Sequence, residues 1–322
     1  MRRPTRQWEQ RIGRRLRLRD MYIFSAVVQH GSMAKAAVEL GMAQPSVSEA
    51  IASLEDAVGV KLLDRSRQGV EATIYGTTLL KRSRAAFDEL GQAVRDIEFL
   101  SDPTAGEIRI ACPETLSAGL VPAIVAAMSR KHPHIVFRLV QETIAANFRE
   151  LRERNVDLAL VRLVKPLQDD ELEAETLFED HVHVVAGATH PLARRRKVEL
   201  SELVHERWIA IPSDGLRDSF LSEAFRNAGL QMPRPTVVTY SQHVRYHLLT
   251  SGPYVTSLPE SVLRFNAGHF SLKRLPIVLQ VTPRPVAIVS VKNRMLSPVA
   301  QTFVDYARMV TRAFASKRAS AS

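Results

Sequence analysis

Apolar residues in the first eighty positions recur at helical spacing in short bursts, and small turn-forming residues close each burst. Phe24, Val27 and Val28 share one face of a first helix that should end near Gly31. Ser32 suits the N-cap of a second helix, in which Ala36, Ala37 and Leu40 point inward and Gly41 takes the place just past the end. Pro45 falls in the first turn of a third helix, where its missing N–H costs nothing. Val47, Ile51, Leu54 and Val58, at steps of four, three and four, give that helix a buried stripe. Helices two and three, joined by a short turn containing Gly41, form a helix-turn-helix. Two β-prone runs, 61–64 and 70–74, then flank the turn pair Gln68-Gly69, which predicts a hairpin wing carrying Arg65 and Arg67.

From 77 to 100 there is no proline and one glycine, Gly91, so one long helix is expected. Leu79, Ser83, Ala86, Leu90, Ala93, Ile97 and Leu100 alternate steps of four and three, a heptad seam. Such a seam either lies on its own domain or joins a second copy, and both readings stand. The run 101–106, SDPTAG, breaks the helix and marks a domain boundary. Beyond it β runs at 107–111, 135–140, 156–161, 182–186, 208–211, 237–240, 254–257 and 286–291 alternate with helical stretches. The clearest of these stretches are 118–131, 145–154 and 298–314. Alternation of this kind predicts parallel βαβ units.

Composition narrows the function. The chain has 322 residues, 45% hydrophobic and 24% charged, room for two or three ordinary globular domains. No apolar run approaches the ~18 residues of a membrane span, and no apolar segment follows the basic N-terminus. A cytoplasmic protein without a membrane partner is expected. One cysteine, Cys112, excludes a disulfide within the chain and fits a reducing compartment. Of the net charge of +10, residues 1–19 hold +7, with eight arginines against one glutamate. The rest carries +3, with 36 basic against 33 acidic residues. An arm of this kind suits a polyanion, or serves only as a solubilising tail.

Winding the third helix from Val47 puts Pro45, Ser48, Glu49 and Ala52 opposite the buried stripe. Short side chains there make a face narrow enough for the ~12 Å major groove of DNA. Ser32, Met33 and Ala34 open the second helix, whose first N–H groups suit a phosphate. Two rival readings remain. Cys112 at a strand end is a candidate nucleophile, though no nucleophile motif surrounds it. His181 and His183 on one strand face, with His243 and His247 one helical turn apart, suggest a metal-responsive regulator.

The chain resembles the LysR-type transcriptional regulator family. The resemblance runs through Phe24, Gly31-Ser32, Ala36-Ala37, Leu40, the run 44–48 (QPSVS), Ile51, Leu54-Glu55, Gly59, Leu62-Leu63, Arg65, Val70, Thr73 and Gly76. It continues through GEIRIACPETLSAGLVPAI, HPHIVFRLV, LRERNVDLALV and HPLARR, and so covers about residues 18 to 315.

It implies an α/β multidomain protein: a basic arm (1–17), a winged helix-turn-helix (18–76), a linker helix (77–101) and a periplasmic-binding-protein-like effector domain (107–316). That last domain would have subdomains 107–168 with 289–316, and 169–288. The resemblance further implies a homodimer or homotetramer through the linker, a small-molecule co-inducer bound between the subdomains, no cofactor or metal, and RNA polymerase as a partner. It places the equivalents of Gln44, Pro45, Ser48 and residue 49 on double-stranded DNA, where Ser46 can also bond phosphate or a base edge; Arg65 and Arg67 on the wing are expected on its backbone or minor groove, with an internal salt bridge the alternative for Arg65, and capping would equally explain Gln44 and Ser46. Glu49 departs from the basic or amide residue usual there, and a carboxylate can accept from cytosine but repels phosphate. By the same resemblance Thr115, Thr143 and Arg162 are pocket positions. They would favour an anionic effector, although capping explains either threonine as well, and Glu114 beside them opposes an anion. Pro253 and Tyr254 replace the glycine-rich approach seen in relatives, altering the pocket.

Overall fold

The structure, a computed structural model, describes residues 15–66, 69–212, 220–266, 268 and 270–315, so Arg67 and most of the basic arm lie outside it. The chain divides into two units near residue 93.

In the first unit α1 (Leu18–His30), α2 (Met33–Glu39) and α3 (Gln44–Val58) precede the hairpin β1 (Leu63–Ser66) and β2 (Gly69–Ala72), and α4 (Ile74–Ser101) leads away. Left-handed glycines, Gly31 at φ +61° and Gly59 at +79°, stop α1 and α3. The Ser32 hydroxyl caps α2 by accepting the Lys35 N–H. Phe24, Val27, Ala36, Val47, Ile51 and Leu54 are fully buried and form the core. Each of the larger side chains contributes about 1.5–3 kcal/mol by leaving water.

The wing starts two residues later than the pattern of apolar residues predicts. Glu55, buried at the end of α3, accepts the backbone N–H groups of Leu62 (2.9 Å) and Leu63 (3.3 Å) and the Lys61 ammonium (2.6 Å). Residues 61 and 62 are thereby tied to α3 instead of entering the ladder. At the other end Thr73 bonds Leu62 and Lys61 carbonyls and accepts the Gly76 N–H on its hydroxyl, so Ile74 opens the helix. A Cβ on Gly76 would lie 2.1 Å from the Leu62 carbonyl oxygen, which requires glycine at this crossing.

The second unit holds two five-stranded sheets. The first is ordered β4 (His134–Gln141), β3 (Ala105–Cys112), β5 (Leu158–Arg162), β12 (Arg284–Val291) and β6 (Leu172–Asp180). Strands β3, β4 and β5 are parallel, as expected, whereas β12 runs antiparallel to both β5 and β6. The second sheet is ordered β11 (Leu272–Arg274), β7 (Val182–Gly187), β10 (Tyr254–Pro259), β8 (Arg207–Ala210) and β9 (Val237–Val238). There β8, β9 and β10 are parallel and β7 is antiparallel to β10. Residues 172–180 and 284–288, expected in the second subdomain, thus belong to the first sheet, because the two chain crossings pair with each other as a ladder.

Buried clusters cover both faces of each sheet. On the first sheet α5 (Glu114–Ser117), α6 (Leu120–Ser129) and α11 (Pro298–Ala315) pack on one side and α7 (Ile144–Arg152) on the other. The expected helix 118–131 runs from Leu120 to Ser129, with Gly119 at its N-cap. On the second sheet lie α8 (Phe220–Asn227), α9 (Gln242–Ser251) and α10 (Glu260–Asn266). No helix among the described residues is long and apolar enough to cross a membrane.

Candidate functional site

Two places gather the residues singled out in the sequence. The first is the outer face of α3. Gln44, Pro45, Ser46, Glu49, Ala52 and Ser53 are exposed while Val47, Ile51 and Leu54 anchor the helix from behind. The N-cap of α3 is Ala43, with no side-chain capping bond, so neither Gln44 nor Ser46 is used as a cap. Ser48 is half-buried and its hydroxyl points to the Met33 sulfur at 3.4 Å. Met33 does not share this surface: it is buried in the core, because the first turn of α2 leans on α3. Ala34 and Lys35 are exposed beside it, and Arg65 is exposed on β1 opposite Val70. Glu49 and Asp56 line one shallow depression with Arg15 and Arg17, so two arginines share this side of the helix with two of its three acidic residues.

The second place is the carboxyl end of the first sheet's parallel strands, where open α/β sheets bind ligands. Glu114 and Thr115 follow β3, Thr143 follows β4 and Arg162 ends β5. Thr143 caps α7 by accepting the Ala146 N–H at 3.3 Å. Thr115 accepts from Arg162 at 3.3 Å. Arg162 is buried and committed: its guanidinium donates to Asp180 at 2.6 Å, and Asp180 also accepts the backbone N–H and hydroxyl of Ser261 from the second sheet's side. Glu114 likewise reaches across, accepting the Gln242 N–H of α9 at 2.7 Å. Tyr254 is not brought to this place. It starts β10, five residues before the end that meets Ser261, and packs among Tyr246, Leu249 and their neighbours. Asp180, Ser261 and Gln242 went unforeseen, since nothing in their local sequence marks a crossing point. A groove of about 880 Å³ also runs beside the crossing strands, lined by Lys165, Thr176, Arg226, Arg284 and Lys292 among others.

The chemistry of the rival readings is not assembled. Cys112 is fully buried, and burial pushes its thiol up to about 12, leaving no thiolate at neutral pH. His183 is buried, which with Arg274 nearby pulls it down to about 4, while His181, His243 and His247 are exposed. No group of three or more His, Cys, Asp or Glu suited to a metal occurs among the described residues.

The bacterial regulatory helix-turn-helix family of LysR type matches residues 18–84, and the LysR substrate-binding domain matches residues 101–312. The chain belongs to the LysR family of transcriptional regulators. As a LysR-type regulator it joins a DNA-binding head to an effector domain, and the relatives it matches are named as regulators, not enzymes. The transcriptional dual regulator GltC of Bacillus subtilis is 28% identical over 293 residues, covering 90% of this chain and 96% of the relative. The RuBisCO operon transcriptional regulator of Allochromatium vinosum is 30% identical over 295 residues, covering 90% and 94%. Among solved structures, a full-length variant of OxyR from Pseudomonas aeruginosa shares the fold at a TM-score of 0.66 and 19% identity, covering 91% of this chain and 95% of that one. CbnR in complex with its target DNA does so at 0.53 and 21%, covering 92% and 100%.

Proposed function

We propose that this LysR-type regulator reads a specific promoter sequence with α3 and is switched by a small molecule held between its two sheets. The observation that carries the DNA reading is the exposed, uncapped start of α3. There Gln44, Pro45, Ser46 and the half-buried Ser48 present short or amide side chains while a rigid apolar stripe fixes the helix from behind. Gln44 suits a bidentate contact with adenine and Pro45 a thymine methyl; Arg65 and Lys35 suit phosphate. The half of the α4 seam carrying Leu90, Ala93, Ile97 and Leu100 is exposed, whereas Leu79 joins the head's core and Ser83 is buried. That split supports pairing with a second copy through the later part of the helix, giving two heads for two half-sites. The effector reading rests on Glu114, Thr115 and Arg162, which meet the second sheet's elements at the strand ends. Effector binding would shift the equilibrium between sheet arrangements and so the spacing of the heads, with RNA polymerase as the downstream partner and the cytoplasm as the setting.

The test is fluorescence anisotropy with duplex DNA from beside the chain's own gene. Specific binding should weaken steeply with salt, and Gln44→Ala should remove preference for that duplex over a scrambled one. Equal affinity of the wild type for both duplexes would overturn the reading.

A further inference from the structure

The helix that enters the groove in the reading above carries no cation. From Gln44 to Val58 it contains Glu49, Glu55 and Asp56 but neither lysine nor arginine. Glu55 is buried and paired with Lys61, which leaves Glu49 and Asp56 as the exposed charges of α3. The rest of the first unit does not make up the difference. From residue 18 to 93 the chain has eight lysines and arginines against nine aspartates and glutamates, a net charge of −1. Duplex DNA carries a phosphate charge about every 1.7 Å, and proteins hold it largely through cations that displace its condensed counterions. A head of this charge is poorly supplied for that task.

The missing charge sits in residues 1–17, with seven arginines against one glutamate, net +6. These residues precede the stretch matched by the helix-turn-helix family, 18–84, so the arm lies outside the shared domain. Where the arm joins the head is informative. Arg15 and Arg17 are exposed and line a depression of about 470 Å³ with Glu49, Ala52, Ser53 and Asp56 of α3. Glu49, Ala52 and Ser53 belong to the same outer face that presents Gln44 and Pro45 at the start of the helix. The arm therefore meets the head on the flank of the groove-facing surface. Its last two arginines offset the two carboxylates that would repel a DNA backbone there.

We propose that residues 1–17 are a second DNA-contact element, with Arg15 and Arg17 on phosphates beside α3 and the earlier arginines on the backbone of the flanking duplex. This rests on the DNA reading above and divides its labour: α3 chooses the sequence and the arm supplies most of the attraction. Arginine suits the task, because its guanidinium stays charged and gives phosphate two parallel N–H groups. Phosphate contacts carry no sequence information, so the arm strengthens binding to any duplex equally.

Fluorescence anisotropy of the full-length protein on promoter and scrambled duplexes, over about 50 to 300 mM potassium chloride, tests the assignment. Arg15→Gln with Arg17→Gln should lower the slope of log affinity against log salt by about 2. Arg2→Gln, Arg3→Gln, Arg6→Gln, Arg11→Gln and Arg14→Gln together should lower it by about 4. Both losses should be the same on the two duplexes, and lysine at the same five positions should keep the slope. An unchanged slope in either glutamine variant overturns the assignment, as does a loss confined to the promoter duplex. Loss of binding to phosphatidylglycerol vesicles with the DNA slope intact would overturn it in favour of a membrane surface. Equal affinity of wild type for the two duplexes, with the slope still falling in the variants, would overturn the promoter reading and leave the arm's role standing.

Discussion

Asp180 and Ser261 are joined by two hydrogen bonds, from the Ser261 backbone N–H at 3.1 Å and its hydroxyl at 2.6 Å. One residue ends the last crossing strand of the first sheet and the other opens a helix on the second, so the pair latches the two sheets where the chain passes between them. Arg162 completes the latch on the same carboxylate oxygen that takes the serine hydroxyl.

Asp180→Ala should therefore be severe. It leaves the buried Arg162 guanidinium without its counter-ion, a loss of about 3–5 kcal/mol for a pair broken from one side. Urea unfolding of the variant measures it, and a loss below about 1 kcal/mol would show that the pair is not holding the sheets.

Glu55 predicts an acid sensitivity. Burial would raise its pKa, but hydrogen bonds from Lys61, Leu62 and Leu63 outweigh that and hold it below the usual carboxylate range. A lowered folded-state pKa gives stability that is full above the unfolded value and is lost as pH falls through the folded one. The first unit should thus lose stability below about pH 4.5, and Glu55→Gln should flatten that pH dependence while lowering stability at pH 7. A variant with an unchanged pH profile would refute the link.

Glu49 and Arg65 should separate base reading from backbone attraction. Arg65→Ala is expected to reduce the slope of log affinity against log salt by about 1. Because Arg15 and Arg17 line the same depression as Glu49, Glu49→Gln should leave its neighbours' charge less balanced and tighten binding to scrambled duplex more than to the promoter. An unchanged ratio between the two duplexes would exclude any role for Glu49 in discrimination.

Cys112 should be inert. With its thiol pushed up to about 12 and no exposed surface, it should resist iodoacetamide at pH 8 in the folded protein and react promptly in urea. Fast alkylation of the native protein would reopen the nucleophile reading.

The head was legible because its helices alternate apolar and polar residues at clean spacing and end on glycines that only left-handed turns require. The strands β3, β4 and β5 were legible as apolar runs. Strand β6 was not: LEAETLFED is rich in glutamate, and as an edge strand it buries little beyond Leu172, Phe178 and Asp180. Tertiary context decided Arg162 and Met33 in the same way, since a partner eighteen residues downstream or a neighbouring helix leaves no trace in local pattern. Arg245 and Gln242 were hidden in QHVRYHLL, where polar residues three apart read as an outward face until the helix is seen to turn them inward.

The join between wing and linker has a mechanical meaning. Thr73 and Gly76 lock the first turn of α4 against the Leu62 carbonyl, with no room for even one methyl group. The helix is a lever clamped without play at its short end, so a head cannot swivel on its own stalk. A side chain larger than glycine at 76 would have to force the wing and the start of α4 apart.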